Sequence, residues 1–333
     1  MPKSVMKPFH IPIFATTQSE AALAMPIEDH PTAYNQILNQ CTSLKCSRKF
    51  LRGRTTPDLL VSNLGFGSFD FLDYYFVNFR YVYPYCKDII KNILDDGFYI
   101  YYYYADDFYM PGKSGYGERH IHHDGIIMGY DESDDTYSIA AYDNNWVFNL
   151  IRVPREDFMK GLKSSLDNQK YGNITYYKIK ENVTVELDLK AILENVKKYI
   201  KSEIGTISLE CDDFADGILI HDLMAMYIDK LKDGSIPHER MDWRILRPIW
   251  EHKKCMLDRI KAVENKCVWG NEFSERYAPI VDKANRIRMM YAMYHKNSND
   301  KLLDKIRDGI LELGVQDKLI LTEFTNKLED MIL

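Results

Sequence analysis

Residues 119–146 read RHIHHDGIIMGYDESDDTYSIAAYDNNW. Two runs of β-forming residues, Gly125–Tyr130 and Tyr137–Tyr142, flank the acidic loop Asp131-Glu-Ser-Asp-Asp135, the pattern of a β-hairpin. A loop centred on Ser133 sets His123 opposite Asp143 and Gly125 opposite Ala141. Directly opposed residues lie roughly 4.5–5.5 Å apart on one face, so the imidazole and the carboxylate are expected to touch. A slip of one residue would destroy that pairing. A histidine held by a carboxylate has its tautomer fixed and its imidazolium stabilised, and its free nitrogen can take a proton from a thiol or hydroxyl.

The same residues permit a metal site, since His120, His122, His123 and Asp124 are all ligand types. On a strand, however, His120 and His122 share one face while His123 points to the other. A surface hairpin without chemistry is the third reading.

Working outward, Phe98–Tyr104 (FYIYYYY) is composed of β-formers. Trp146–Val153 and Asn173–Lys180 are further strands, and Phe69–Tyr83 is aromatic and strand-like. Cys86–Asp95 reads as a helix closed by Gly97, and Pro154–Phe158 opens another. Upstream, Ile11–Phe14 is a candidate strand, and a helix is expected from Asp29 as N-cap through Tyr34, Ile37, Leu38 and Cys41. Helix first and a mostly antiparallel sheet after it define an α+β domain, 1–186. From about Leu187 helical patterning takes over, over 189–204, 214–231, 239–264, 272–295, 301–313 and 319–333, giving a helical domain or cap, 187–333. Pro248 is expected to kink the third of these helices. The charged residues Asp242, Arg244, Glu251, His252 and Lys253 form either a buried ion-pair network or a substrate-facing group.

Hydrophobic residues make up 46% and charged residues 28% of the 333, as in a soluble globular protein. A net charge of −6, with no basic run, argues against nucleic acid. No stretch approaches the ~18 apolar residues that span a membrane, and residues 1–26 lack the apolar core of a signal peptide. The six cysteines (41, 46, 86, 211, 255, 267) form no C-x-x-C and no compact framework. Reduced thiols in a cytoplasm are the expectation, which makes the sequons at Asn173 and Asn182 irrelevant. No Walker A, dinucleotide fingerprint or zincin motif occurs, and no cofactor is expected.

The histidine strand resembles that of papain-like cysteine peptidases. His123-Asp-Gly-Ile-Ile-Met-Gly129-Tyr130 keeps the spacing from the catalytic His to Gly-Tyr, and Asp143 falls where the orienting Asn or Asp closes the next strand. With the preceding Asp107-Phe-Tyr-Met-Pro111 and the helical C-terminal half, the chain is similar to a branch from natural-product pathways. That branch comprises the butirosin biosynthesis acyltransferase family and the amide-forming homologues of thiotemplated pathways. The resemblance implies a papain-like core and a Cys-His-Asp site. It implies transfer of an acyl group from an acyl or peptidyl carrier protein to a small-molecule amine. By position His123 is the base and Asp143 its partner. The family's cysteine opens the first helix; if that helix starts at Asp29, His30 stands there instead, whereas a start at Gln40 puts Cys41 in place. Cys46 and, more weakly, Ser43 are alternatives, and Cys41 also reads as a small buried residue. A relative that has lost its nucleophile and only binds a carrier or acyl chain is the competing expectation.

Overall fold

The computed structural model describes residues 3–53, 56–61, 64–168, 172–203 and 214–332. It is an α+β structure that divides into two compact units, 1–33 with 65–184, and 34–64 with 185–333. Residues 34–64, expected in the first domain, thus pack with the helical unit. Elements are numbered in chain order.

The first unit is built on a sheet of β1 (Ser4–Met6), β4 (Leu72–Asn78), β5 (Tyr99–Asp106), β6 (His122–Asp131), β7 (Thr136–Tyr142), β8 (Phe148–Pro154) and β9 (Asn173–Ile179). Its order is β4-β9-β5-β6-β7-β8, every pair antiparallel, with β1 beside the far end of β6. Alternation along the strands divides the side chains between two cores. Tyr101, Ile126, Met128, Ala140, Tyr142 and Tyr177 meet Ala21, Ala22 and Met25 of α1 (Gln18–Glu28). Ile100, Tyr102, Ile127, Ile139, Val153 and Ile174 meet α4 (Cys86–Asp95) and α5 (Arg155–Asp167) through Ile90, Leu94, Phe158 and Leu162. Each large apolar side chain so buried contributes roughly 1.5–3 kcal/mol. A short helix, α3 (Phe79–Val82), follows β4 directly.

α1 lies where no helix was expected, and Ile11–Phe14 is irregular. Thr17 caps α1, its hydroxyl accepting from the Glu20 N–H at 3.2 Å and donating to the Glu20 carboxylate at 3.0 Å. The first of these bonds satisfies a helix-end donor that water would otherwise have to meet, and the second holds the hydroxyl in place. Asp29, read as an N-cap, instead follows the C-terminal end of α1.

In the second unit, α2 (Tyr34–Gln40) packs on α6 (Leu189–Lys201) and α8 (Arg247–Cys267). A small antiparallel sheet joins β2 (Leu44–Ser47) to β3 (Leu59–Val61) and β10 (Phe214–Asp216). α7 (Ile220–Lys232), α9 (Glu272–Asn297) and α10 (Lys301–Ile332) complete it. α10 is one helix, not two. Leu303, Ile306, Ile310, Leu313, Leu321, Phe324 and Leu328 form a single buried stripe at helical spacing. Gly314, in the gap between the two helices expected there, is where α7 crosses. A Cβ there would lie 2.9 Å from the His221 Cβ. Pro248 stands in the first turn of α8, where its missing N–H costs nothing, so the expected kink is replaced by a helix start. Among the described residues no helix is long and apolar enough to cross a membrane.

Candidate functional site

β6 brings the histidines to the end of the sheet. The ladder of β6 with β7 runs through Ile127↔Ile139 and Ile126↔Ala140, the register that extrapolates to His123↔Asp143. The hydrogen bond goes elsewhere. β7 ends at Tyr142, while His123 is still paired with β5, opposite Ala105. Just beyond, the chain folds into a turn over Asp107–Tyr109, and the Asp107 carboxylate returns to β6. His123 Nδ1–H donates to Asp107 Oδ2 at 2.6 Å. Asp143 is engaged by backbone: its Oδ1 accepts from the N–H groups of Asn145 at 2.8 Å and Val147 at 3.0 Å, closing the β7–β8 turn. The expected His123–Asp143 contact is therefore a His123–Asp107 pair.

The pair is asymmetric. Asp107 is fully buried, whereas the His123 side chain is 38% exposed. The second oxygen of Asp107 has no hydrogen bond within standard limits, and the buried Lys113 ammonium stands 3.7 Å from it. Burial lowers the Lys113 pKa, opposed by the charges of Asp107, Asp124 and Asp143. Asp143 thus acts on Lys113, beside the pair, and is not bonded to the imidazole. His123 Nε2 has no partner among the described residues.

The neighbouring histidines are drawn apart. His120 Nδ1 meets Asp106 Oδ2 at 2.7 Å and its ring stacks on Phe108 at 4.4 Å. Asp106 also accepts from the Ser164 hydroxyl at 2.6 Å and the Phe108 N–H at 3.1 Å. Burial would raise its pKa, but these donors bring it below the ordinary carboxylate value. His122 Nδ1 bonds Ser165 Oγ at 2.7 Å. Asp124 accepts from Gln18 Nε2 at 2.6 Å and from the Tyr101 hydroxyl. These four residues are committed to separate partners, and the described residues hold no cluster of three or more His, Cys, Asp or Glu suited to a metal.

Among the described residues no thiol is bonded to His123. Cys41 belongs to the helical unit and follows the C-terminal end of α2, fully buried, its N–H bonded to Ile37 O at 2.9 Å. A helix end of that polarity presents carbonyls, which do not stabilise a thiolate. There Arg259 donates to Leu38 O at 2.5 Å and Cys41 O at 2.9 Å, so this turn is a capped helix end. Burial pushes the thiols of Cys46 and Cys86 up to about 12 and raises that of Cys267. Cys255 is buried, and Cys211 lies outside the described residues. Ser43 is buried and accepts from the Gly217 N–H at 3.1 Å. His30 Nδ1 accepts from the N–H groups of Thr32 and Ala33, a turn-forming role.

The first turn of the first helix is occupied by other groups. Gln18 is buried there, donating to Asp124 and accepting from the Tyr142 N–H at 3.2 Å. Ser19 is next, 3.1 Å from the Thr17 hydroxyl. The clue to this turn was the sequence Thr17-Gln-Ser-Glu20, a capping box ahead of an Ala-rich apolar run.

The charged residues of the helical unit separate: Arg244 pairs with its partly exposed neighbour Asp242 at 3.0 Å, Glu251 accepts from Arg247 at 2.7 Å, and His252 and Lys253 belong to a buried network. Lys253 donates to Asp317 Oδ2 at 2.5 Å and to the Tyr199 hydroxyl at 2.7 Å, and Tyr277 donates to Asp317 Oδ1. His252 Nε2–H donates to Thr42 O at 2.9 Å. Both Lys253 and Asp317 are fully buried, so Lys253 is not a substrate-facing group within this unit. Burial opposes the Asp317 charge, yet Lys253 holds its pKa down to about 2.

No family model matches the chain, and no curated protein is significantly similar to it.

Proposed function

We propose that the first unit transfers acyl groups from carrier-bound thioesters to an amine, with His123 as general base and no cysteinyl intermediate. The substrate class rests on the sequence resemblance to the papain-like acyltransferases and amide-forming enzymes. The observation that carries the mechanism is the half-exposed imidazole whose Nδ1 is fixed on a buried carboxylate while Nε2 is free. In this reading the acceptor amine attacks the thioester carbonyl as His123 Nε2 takes its proton. The carbon–sulfur bond then breaks, the carbon–nitrogen bond remains, and the proton passes to the departing thiolate. Asp107 keeps the tautomer correct and stabilises the imidazolium.

The competing reading is a binding protein that has lost its nucleophile. It is favoured by the absence of cysteine from the first turn of α1. One experiment separates the two. The full chain is incubated with an acyl-pantetheine thioester and a primary amine, and amide product and intact protein mass are followed together. General-base transfer predicts amide without an acyl adduct on the protein, with loss of about 10²–10⁴-fold in His123→Ala. An adduct on any cysteine, Cys211 included, would replace this mechanism with an acyl-enzyme. No amide from panels of carrier thioesters and amines, together with carrier binding unchanged in His123→Ala, would favour the binding protein.

A further inference from the structure

We infer that the groove between α9 and α10 is a docking site for an acidic amphipathic helix of a partner protein. This rests on the helical unit alone and is independent of the acyl-transfer reading. The groove encloses about 540 Å³, floored by Ile287 and Gly309 and walled by Met289, Met290 and Met293. Met289 and Met293 are 50% and 52% exposed and stand one helical turn apart. A Cβ on Gly309 would lie 3.2 Å from Ile287, so glycine keeps the floor low. The α9 wall runs from Lys283 to Met293, roughly 15 Å of helix, enough to seat about three turns of a second one. Methionine side chains are flexible and polarizable, and they recur on surfaces that grip apolar helix faces.

The rim has one sign. Lys283, Arg286 and Lys305 line the groove, with no carboxylate among the nine lining residues. Lys283 is paired with Glu312, but Arg286 and Lys305 have no charged partner among the described residues. On a chain of net charge −6, an apolar trough edged by free cations selects an occupant with an apolar stripe between carboxylates. A second copy is a weaker match, because Glu272, Glu323 and Glu329 on α9 and α10 are already held by Lys327, Arg276 and Lys197. A lipid surface is a poor match too, since the groove is concave and carries none of the aromatic residues that anchor at interfaces.

The test uses the full chain and a fluorescent three-turn helical peptide with leucines at i, i+3, i+4 and i+7 and glutamates elsewhere. A matched peptide carries lysines in place of the glutamates. Anisotropy titration should show the acidic peptide binding more weakly as salt rises, and the lysine peptide not binding. The double variant Arg286→Glu/Lys305→Glu should weaken binding by about tenfold or more. Met289→Gln/Met293→Gln should also weaken it, at unchanged thermal stability. The proposal is overturned if neither peptide binds, if both bind alike, or if the charge reversal leaves the affinity unchanged. Reversal-sensitive binding to phosphatidylserine vesicles without peptide binding would replace the partner helix with a membrane. A sedimentation dimer abolished by the same reversal would replace it with a second copy.

Discussion

Two ionisable pairs, one in each unit, show how surroundings turn similar chemistry to different ends. Lys253 and Asp317 are buried on all sides, and Tyr199, Tyr277 and His252 occupy the positions around them. Nothing is left over to meet a substrate, and the pair contributes specificity of packing where an apolar contact would serve stability as well. His123 and Asp107 share only half of that description. The carboxylate is buried, the imidazole is half-exposed, and one ring nitrogen is uncommitted. A closed network reads as architecture and an open one as a site.

The comparison breaks most visibly at Lys253. Lys253→Met strands the Asp317 charge and should cost the helical unit about 3–5 kcal/mol in urea unfolding. Adding Asp317→Leu should recover most of that loss. A cost below about 1 kcal/mol for the single variant would mean that the network is wetter than its burial implies.

Acid sharpens the same contrast. Burial, with Lys253 nearby, lowers the pKa of His221 to about 4 and that of His252 well below its ordinary value; the Asp317 charge acts in the opposite sense on both. Both imidazoles are therefore neutral in the fold and take up protons more readily when unfolded. Their stabilisation is complete above the unfolded value near 6.5 and falls as the pH drops below it, for His221 down to about pH 4. The slope is up to about 1.4 kcal/mol per pH unit for each histidine. Unfolding free energies measured across that interval, with His221→Gln as control, would expose it. A flat profile would sink the assignment.

His123→Ala takes a hydrogen bond from the buried Asp107 carboxylate and should cost the first unit about 1–3 kcal/mol, less than Lys253→Met because the ring itself is half-exposed. A loss as large as that of Lys253→Met would make the histidine structural. Thr17→Ala, which removes the α1 cap, should destabilise the first unit by about 1 kcal/mol.

Much of this contrast could be read from the sequence. The hairpin register near Ile126 and Ala140 followed from alternation and loop length, and the α+β order from the strand runs. What alternation could not supply was the end of the ladder. Asp107 competes for His123 because the chain turns back directly after β5, a tertiary event with no local period. α1 was missed because its short apolar run carries Pro26 and many small residues, although the Thr17–Glu20 box marked its start. The break expected between 313 and 319 fails for the opposite reason: Gly314 is retained inside α10 to admit His221. Asp317, a carboxylate within an apolar stripe, was a legible sign of a buried ion pair, hidden once the helix was divided there. The placing of Cys41 at a helix end also turned on where α2 begins, and boundaries are the part of a helix that periodicity defines least.

The central claim is that Asp107, not Asp143, fixes an otherwise free His123. It is tested most directly by ¹⁵N NMR of the histidine side chains at neutral pH in the parent, Asp107→Asn and Asp143→Asn. The account predicts that His123 carries its proton on Nδ1, that Asp107→Asn disturbs this tautomer, and that Asp143→Asn leaves it in place. A proton on Nε2 in the parent, or a tautomer that responds to Asp143 and ignores Asp107, would contradict it.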